Sequence, residues 1–195
     1  MQFPLTLRFK FFSLTSEIFV TEPNGHVALY VKQKLFRLKE AITVFADPQQ
    51  RTVRYTIQAD RVIDFSAQYH FTDAEGQPLG SVRRKGMRSL WKAHYEILDE
   101  RDRHTMTLSE ENPWVKVLDG LIGDLPLIGF VASYLLNPSY VVSRTDGTPV
   151  LRLKKTPSLL ERRFTIEQVT SLSEPAQSQA LLGSLMMVLL ERDRG

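Results

Sequence analysis

Arg83, Arg84, Lys85, Arg88 and Lys92 follow one another with no acid between them. A second run, Arg152, Lys154, Lys155, Arg162 and Arg163, holds only Glu161 among its members. Cations at this density are suited to one kind of chemistry, the binding of anions by charge and by N–H donors. Near an anionic lipid leaflet each contributes ~1 kcal/mol, so a cluster of five would give reversible attachment. A solvated surface face is the plain alternative. Nucleic acid is the poorer partner, because a single-strand platform needs interleaved aromatics and Trp91 is the one aromatic inside the first cluster.

Residues that break bonds are harder to find. His26, His70, His94 and His104 are the histidines, no two of them four apart, and the chain has no cysteine. Zinc-ligand spacing is therefore missing. Neither a glycine-rich phosphate loop nor a G-x-S-x-G elbow occurs. The acids gather at turn signals, where turn geometry accounts for them. These observations point to a protein without catalytic residues, metal or cofactor.

The elements that must position the clusters are repeated. Glu22-Pro23-Asn24-Gly25, Asp47-Pro48-Gln49-Gln50, Asp73-Ala74-Glu75-Gly76, Asp99-Glu100-Arg101-Asp102 and Asp146-Gly147 each precede a strand-like run. The acids at 22, 47, 73 and 99 are spaced by 25, 26 and 26 residues, and the step to 146 is longer. An acid here can accept from a backbone amide two residues on, and glycine allows positive φ. Each unit reads as strand, tight turn, strand. Alternation supports the arms. Leu5, Leu7, Phe9 and Phe11 oppose Thr6, Arg8 and Lys10, and Phe65, Ala67, Tyr69 and Phe71 oppose Asp64, Ser66, Gln68 and His70. Val53, Tyr55 and Ile57 share a face against Arg54, Thr56 and Gln58. Five hairpins with one strand before and one behind give about twelve strands, and a sheet that large curls or closes.

Residues 176–190, AQSQALLGSLMMVLL, make a helix with no polar face from Ala180 onward, where Gly183 and Ser184 are the non-apolar members. It is short of the ~20 apolar residues needed to cross a bilayer. A core helix over 175–192 plugging the barrel is the expectation. Residues 112–138 interrupt the hairpin series. Asn112-Pro113 looks like a helix cap, and Gly123-Asp124-Leu125-Pro126 separates two short apolar helices. This insertion can cover a barrel end, meet a partner or second copy, or lie in a membrane interface. Its contact residues would be Trp114, Val117, Leu118, Leu121, Phe130 and Tyr134.

With these pieces in order, the sequence resembles a known family. YVKQKLFRLKEAITVFAD, YHFTDAEGQPLGSVRRK, Trp91 with YEILD, and YVVSRTDGTPVLRLKK before an apolar terminal helix look like the LURP-one-related family, over roughly residues 25–192. That family belongs to the tubby C-terminal-like superfamily, with the phospholipid scramblases. The resemblance implies a twelve-stranded barrel closed around a hydrophobic helix. It also implies lipid headgroup binding, as in tubby domains, or action at membranes, as in scramblases. No motif carries the tubby lipid-binding residues onto positions here, and the closely spaced acids of a calcium loop are missing. The apolar insertion is a departure from the family's core pattern.

The combined expectation is a mainly β chain, residues 1–195 as one barrel domain. It is non-enzymatic and binds anionic lipid headgroups, through the ten basic residues named above, or a protein partner at a membrane surface. The alternatives are a soluble scaffold or regulatory protein working through protein contacts, and a small-ligand-binding or hydrolytic barrel. With 195 residues, net charge +3, no cysteine and charged residues inside its N-terminal apolar stretch, the chain reads as cytoplasmic and peripheral to membranes.

Overall fold

The computed structural model describes residues 1–12, 15–34, 41–61, 67–84, 94–111, 139–156 and 162–192. Among these residues twelve strands precede one helix. They are β1 (Leu5–Phe12), β2 (Thr15–Thr21), β3 (Val27–Lys34), β4 (Ile42–Phe45), β5 (Val53–Ala59) and β6 (Gln68–Asp73). After them come β7 (Pro78–Arg84), β8 (His94–Leu98), β9 (His104–Glu110), β10 (Ser139–Arg144), β11 (Pro149–Thr156) and β12 (Arg162–Gln168). Every strand is antiparallel to its neighbours in sequence order, and β12 pairs with β1 to close the barrel. The expected insertion, 112–138, lies outside the described residues, as does Phe65.

The repeated turns are real and share one geometry. Tight turns join β2–β3, β4–β5, β6–β7, β8–β9 and β10–β11 at one end of the barrel. In each, a residue with positive φ occupies the fourth turn position: Gly25, Gln50, Gly76, Asp102 and Gly147. Its amide donates to the carbonyl three residues back, as Gly76 does to Asp73 at 3.2 Å. A register shift follows beside every turn, the bulged hairpin whose twist matches the strands. Asp73 Oδ1 accepts from the amides of Glu75 and Gln77, and Asp99 Oδ1 from those of Arg101 and Arg103.

Three details differ from the sequence expectation. In the first turn Asn24, not Glu22, accepts from the amide two residues on. In the fifth, the residue equivalent to Asp73 is Arg144, whose carbonyl accepts from Gly147. Asp146 sits inside that turn and accepts from the Thr148 amide at 2.8 Å. In the second, Val53 is 39% exposed instead of sharing the buried face of Tyr55 and Ile57. Here the turn is longer, closed by Ala46 N–H to the Thr52 carbonyl. The register steps from Val44↔Tyr55 to Phe45↔Val53, so the bulge at Arg54 throws Val53 outward.

The helix α1 (Glu174–Arg192) fills the barrel. From Ala180 to Leu189 every residue is buried, so the helix is enclosed around its whole circumference. Two side-chain bonds tie its first turns to the wall at β5 and β7. The Ser178 and Tyr55 hydroxyls lie 3.1 Å apart, and Gln179 Nε2 donates to the Leu79 carbonyl at 2.7 Å. The closest packing is against β7, β8 and β9. Gly183 permits it, since a Cβ there would stand 2.9 Å from Ile97 Cδ1. Ser184, otherwise a polar group in an apolar lumen, donates to the Ala180 carbonyl at 2.7 Å. Inward-facing Leu5, Leu7, Phe9, Ile18, Val31, Phe71, Tyr95 and Leu108 complete one continuous core. No helix among the described residues is long and apolar enough to cross a membrane.

Candidate anion-binding surface

The barrel has two unlike ends. One carries the tight turns, the start of β1 and the end of β12. The other carries the remaining connections, and both basic clusters reach it, from β7 and from β11–β12.

On β7 the alternation Gly80 and Val82 inward, Ser81 and Arg83 outward, follows from the strand period. Arg83 lies across from Glu96 of β8 and grips its Oε2 with Nε at 3.0 Å and Nη2 at 2.9 Å. Glu96 is buried, so this pair fastens β7 to β8. Arg84 shares the parity of Val82 and packs its guanidinium 5.7 Å from the ring centre of the buried Tyr95. Lys85, Arg88 and Lys92 lie outside the described residues.

In the second cluster, Arg152 Nε donates to Glu111 Oε1 at 2.9 Å. Lys154 Nζ reaches both carboxylate oxygens of Glu167, at 3.2 and 3.0 Å. Lys155 is across from Phe164, and Arg162 across from Phe9, which puts both on the inward parity at the barrel's rim. Arg163 faces outward, in register with Arg8 of β1. The helix runs toward this end, with Gln179 at Leu79 and Gly183 at Ile97 and Val82, so its carbonyl end points to the basic end, where positive charge is favourable.

Barrel closure adds cations that the sequence clusters do not contain. Arg8 and Lys10 lie on the outer face of β1, beside Arg163 and across from Phe19 and Glu17 of β2. Arg8 Cζ is 5.6 Å, and Lys10 Nζ 5.4 Å, from the centre of the Phe19 ring. Phe19 is tilted against Tyr30 with ring centres 5.0 Å apart. The Tyr30 hydroxyl donates to Glu17 Oε1 at 2.9 Å, and Lys32 Nζ lies 3.9 Å from the same oxygen. Burial, and then the bond and charge of Glu17, push the Tyr30 phenol up to about 12. It stays neutral and donating at any physiological pH. The alternation of Arg8 and Lys10 with Leu7 and Phe9 was the one sequence signal for this face. Its meeting with Arg163 needed the β1–β12 pairing.

Of the histidines, His70 is exposed on the polar face of its strand, as expected. His26 Nδ1 lies 3.7 Å from Glu22, and His104 Nε2 is 3.0 Å from the Thr107 hydroxyl. Among the described residues no group of three or more acids and histidines is placed to hold a metal ion. Trp114, Val117, Leu118, Leu121, Phe130 and Tyr134 are outside the described residues.

Residues 27–121, a stretch that begins with β3 and runs past the end of β9, match the LURP-one-related family. The match takes in the first basic cluster and leaves the second, with β1, β2 and α1, outside it. No curated protein and no solved structure matches the chain.

Proposed function

We propose that this LURP-one-related barrel is a non-enzymatic protein that binds anionic phospholipid headgroups at a membrane surface. One observation carries the reading. Arg83 and Arg84, from β7, and Lys154, Lys155, Arg162 and Arg163, from β11 and β12, come to the same end of the barrel although far apart in sequence. The helix occupies the lumen, so recognition falls to the rim and the outer surface. Net charge decides the strength. An exposed ion pair such as Lys154–Glu167 contributes only ~0–1 kcal/mol and yields readily to a lipid phosphate. Each cation near the leaflet contributes ~1 kcal/mol, over a range set by a Debye length of ~8 Å in physiological salt.

The test is co-sedimentation with phosphatidylcholine vesicles and with vesicles that also contain phosphatidylserine, each across a salt series. Retention on the anionic vesicles alone, falling with salt and reduced in an Arg162→Ser/Arg163→Ser variant that melts like the parent, is the expected result. Equal retention on both vesicle types would overturn the proposal.

A further inference from the structure

One register row runs around the outside of the barrel. Arg163 of β12 is across from Arg8 of β1, Arg8 from Phe19 of β2, Phe19 from Tyr30 of β3, Tyr30 from Phe45 of β4 and Phe45 from Val53 of β5. At ~4.8 Å per strand the row is ~24 Å long. Two guanidiniums stand at one end, then three aromatic rings, then an exposed valine. None of these side chains is needed for the lumen, which Leu7, Phe9, Ile18, Val20, Leu29, Val31 and Val44 fill from the opposite face of the same strands.

We propose that this flank, from β12 across β1 and β2 to β4, is the face that lies against an anionic bilayer. The inference rests on the headgroup reading and narrows it to the β11–β12 side of the basic end, since β7 with Arg83 and Arg84 stands on the opposite wall of the barrel. Arg163 belongs to the basic end already described, so the row continues that surface. The row one step nearer the basic end holds Lys10, Glu17 and Lys32. In these two rows Glu17 is the one acid among the described residues, and it is bonded to Tyr30 and Lys32. Positive charge therefore dominates the aromatic strip, the complement of an anionic leaflet. Aromatic rings settle at headgroup depth and cations meet the phosphates beside them, so the two residue types in one row match the layered chemistry of that interface. Tyr30 acts as the base of the strip. It is only 3% exposed although it faces outward, because Phe19 and Phe45 flank it in register. Its bond to Glu17 holds it there, and Arg8 and Lys10 are held over the Phe19 ring.

The chain has no cysteine, so a single introduced thiol can carry an environment-sensitive dye without competition. Phe45→Cys reports from the row. Val169→Cys, at an exposed residue beyond the end of β12, reports from the tight-turn end. On phosphatidylserine-containing vesicles the Phe45 dye should shift to the blue and the Val169 dye should not. Arg8→Ser with Lys10→Ser should weaken binding to these vesicles about 30-fold, the product of about fivefold per basic contact. Anionic vesicle binding with an unshifted Phe45 dye, or with the Arg8/Lys10 variant binding like the parent, would overturn the flank while leaving the headgroup reading intact. A parent protein that shows no preference for anionic vesicles would overturn both.

Discussion

Gln179 offers the most direct test of how the helix is held in the barrel. Its Nε2 donates to the Leu79 carbonyl at 2.7 Å from a buried position. The β6–β7 register steps from Phe71↔Gly80 to Thr72↔Pro78, so Leu79 is the bulged residue with no partner on β6. The glutamine supplies the donor that the ladder omits. Gln179→Glu keeps the shape and replaces the donor with an oxygen. Ionised, that oxygen would face the Leu79 carbonyl at hydrogen-bond distance, so the carboxyl should stay protonated and donate in the amide's place. A buried carboxyl can rise by ~3–5 units from its ordinary value of ~4.3. The folded-state pKa is then above the unfolded one. The native contact is fully present below pH ~4.3 and is lost as pH rises toward the folded value. Relative to the parent, stability should fall by ~1.4 kcal/mol per pH unit across that window. The total of ~4–7 kcal/mol is a large share of a typical ~5–15 kcal/mol domain stability. Gln179→Met removes the donor without adding a titrating group, and should cost ~1–3 kcal/mol at every pH. Urea unfolding of parent and both variants from pH 4.5 to 7.5 measures this. A flat difference for the glutamate variant, or a methionine variant as stable as the parent, would refute a structural role for this bond.

Two further outcomes follow from the same barrel wall. Gly80 has φ +132°, and a Cβ there would run into the Leu98 carbonyl oxygen, a backbone atom that cannot step aside while β7 and β8 stay paired. Gly80→Ala should therefore cost about 3 kcal/mol or more. At Gly76, with φ +79° but open space around it, the same change should cost about 1 kcal/mol. Equal melting temperatures for the two variants would contradict the close approach. At Asp99, burial raises the carboxyl pKa. The bond from the Arg103 side chain and those from the Arg103 and Arg101 amides outweigh it and hold the pKa below the ordinary 3.8. With the folded value depressed, the contribution is complete above 3.8 and disappears as pH falls through the folded pKa. Asp99→Asn should therefore be less stable than the parent at pH 7, with the gap closing in acid. A gap that stays constant down to pH 2 in thermal melts would contradict that linkage.

Much of the barrel was legible because its signals are local. A tight turn depends on four or five consecutive residues, so the acids and glycines at 22–25, 73–76 and 99–102 announce hairpins before any strand partner is known. The buried helix was equally plain, because apolarity on every side of a helix can only be satisfied by enclosure. The local code also has limits. Arg144 opens the fifth turn without an acid, and Val53 leaves its expected face because the second turn carries a longer loop and a bulge. A one-residue shift in register reverses every side chain after it.

The candidate site shows the other side of this division. The sequence by itself placed two runs of positive charge at equivalent ends of the hairpin repeat, and strand parity carries Arg84, Lys155 and Arg162 inward at the rim and Arg83 and Arg163 outward. Which carboxylates answer them was decided in three dimensions. Glu96 reaches Arg83 through the β7–β8 register, Glu167 reaches Lys154 through a hairpin partner, and Glu111 meets Arg152 across 41 residues. Barrel closure then set Arg8 beside Arg163 and ran the aromatic row of Phe19, Tyr30 and Phe45 on from them. Those neighbours depend on the closing of the first strand on the last. That pairing is fixed by the register of a whole sheet and by the width of the helix inside it, not by any pattern a few residues long.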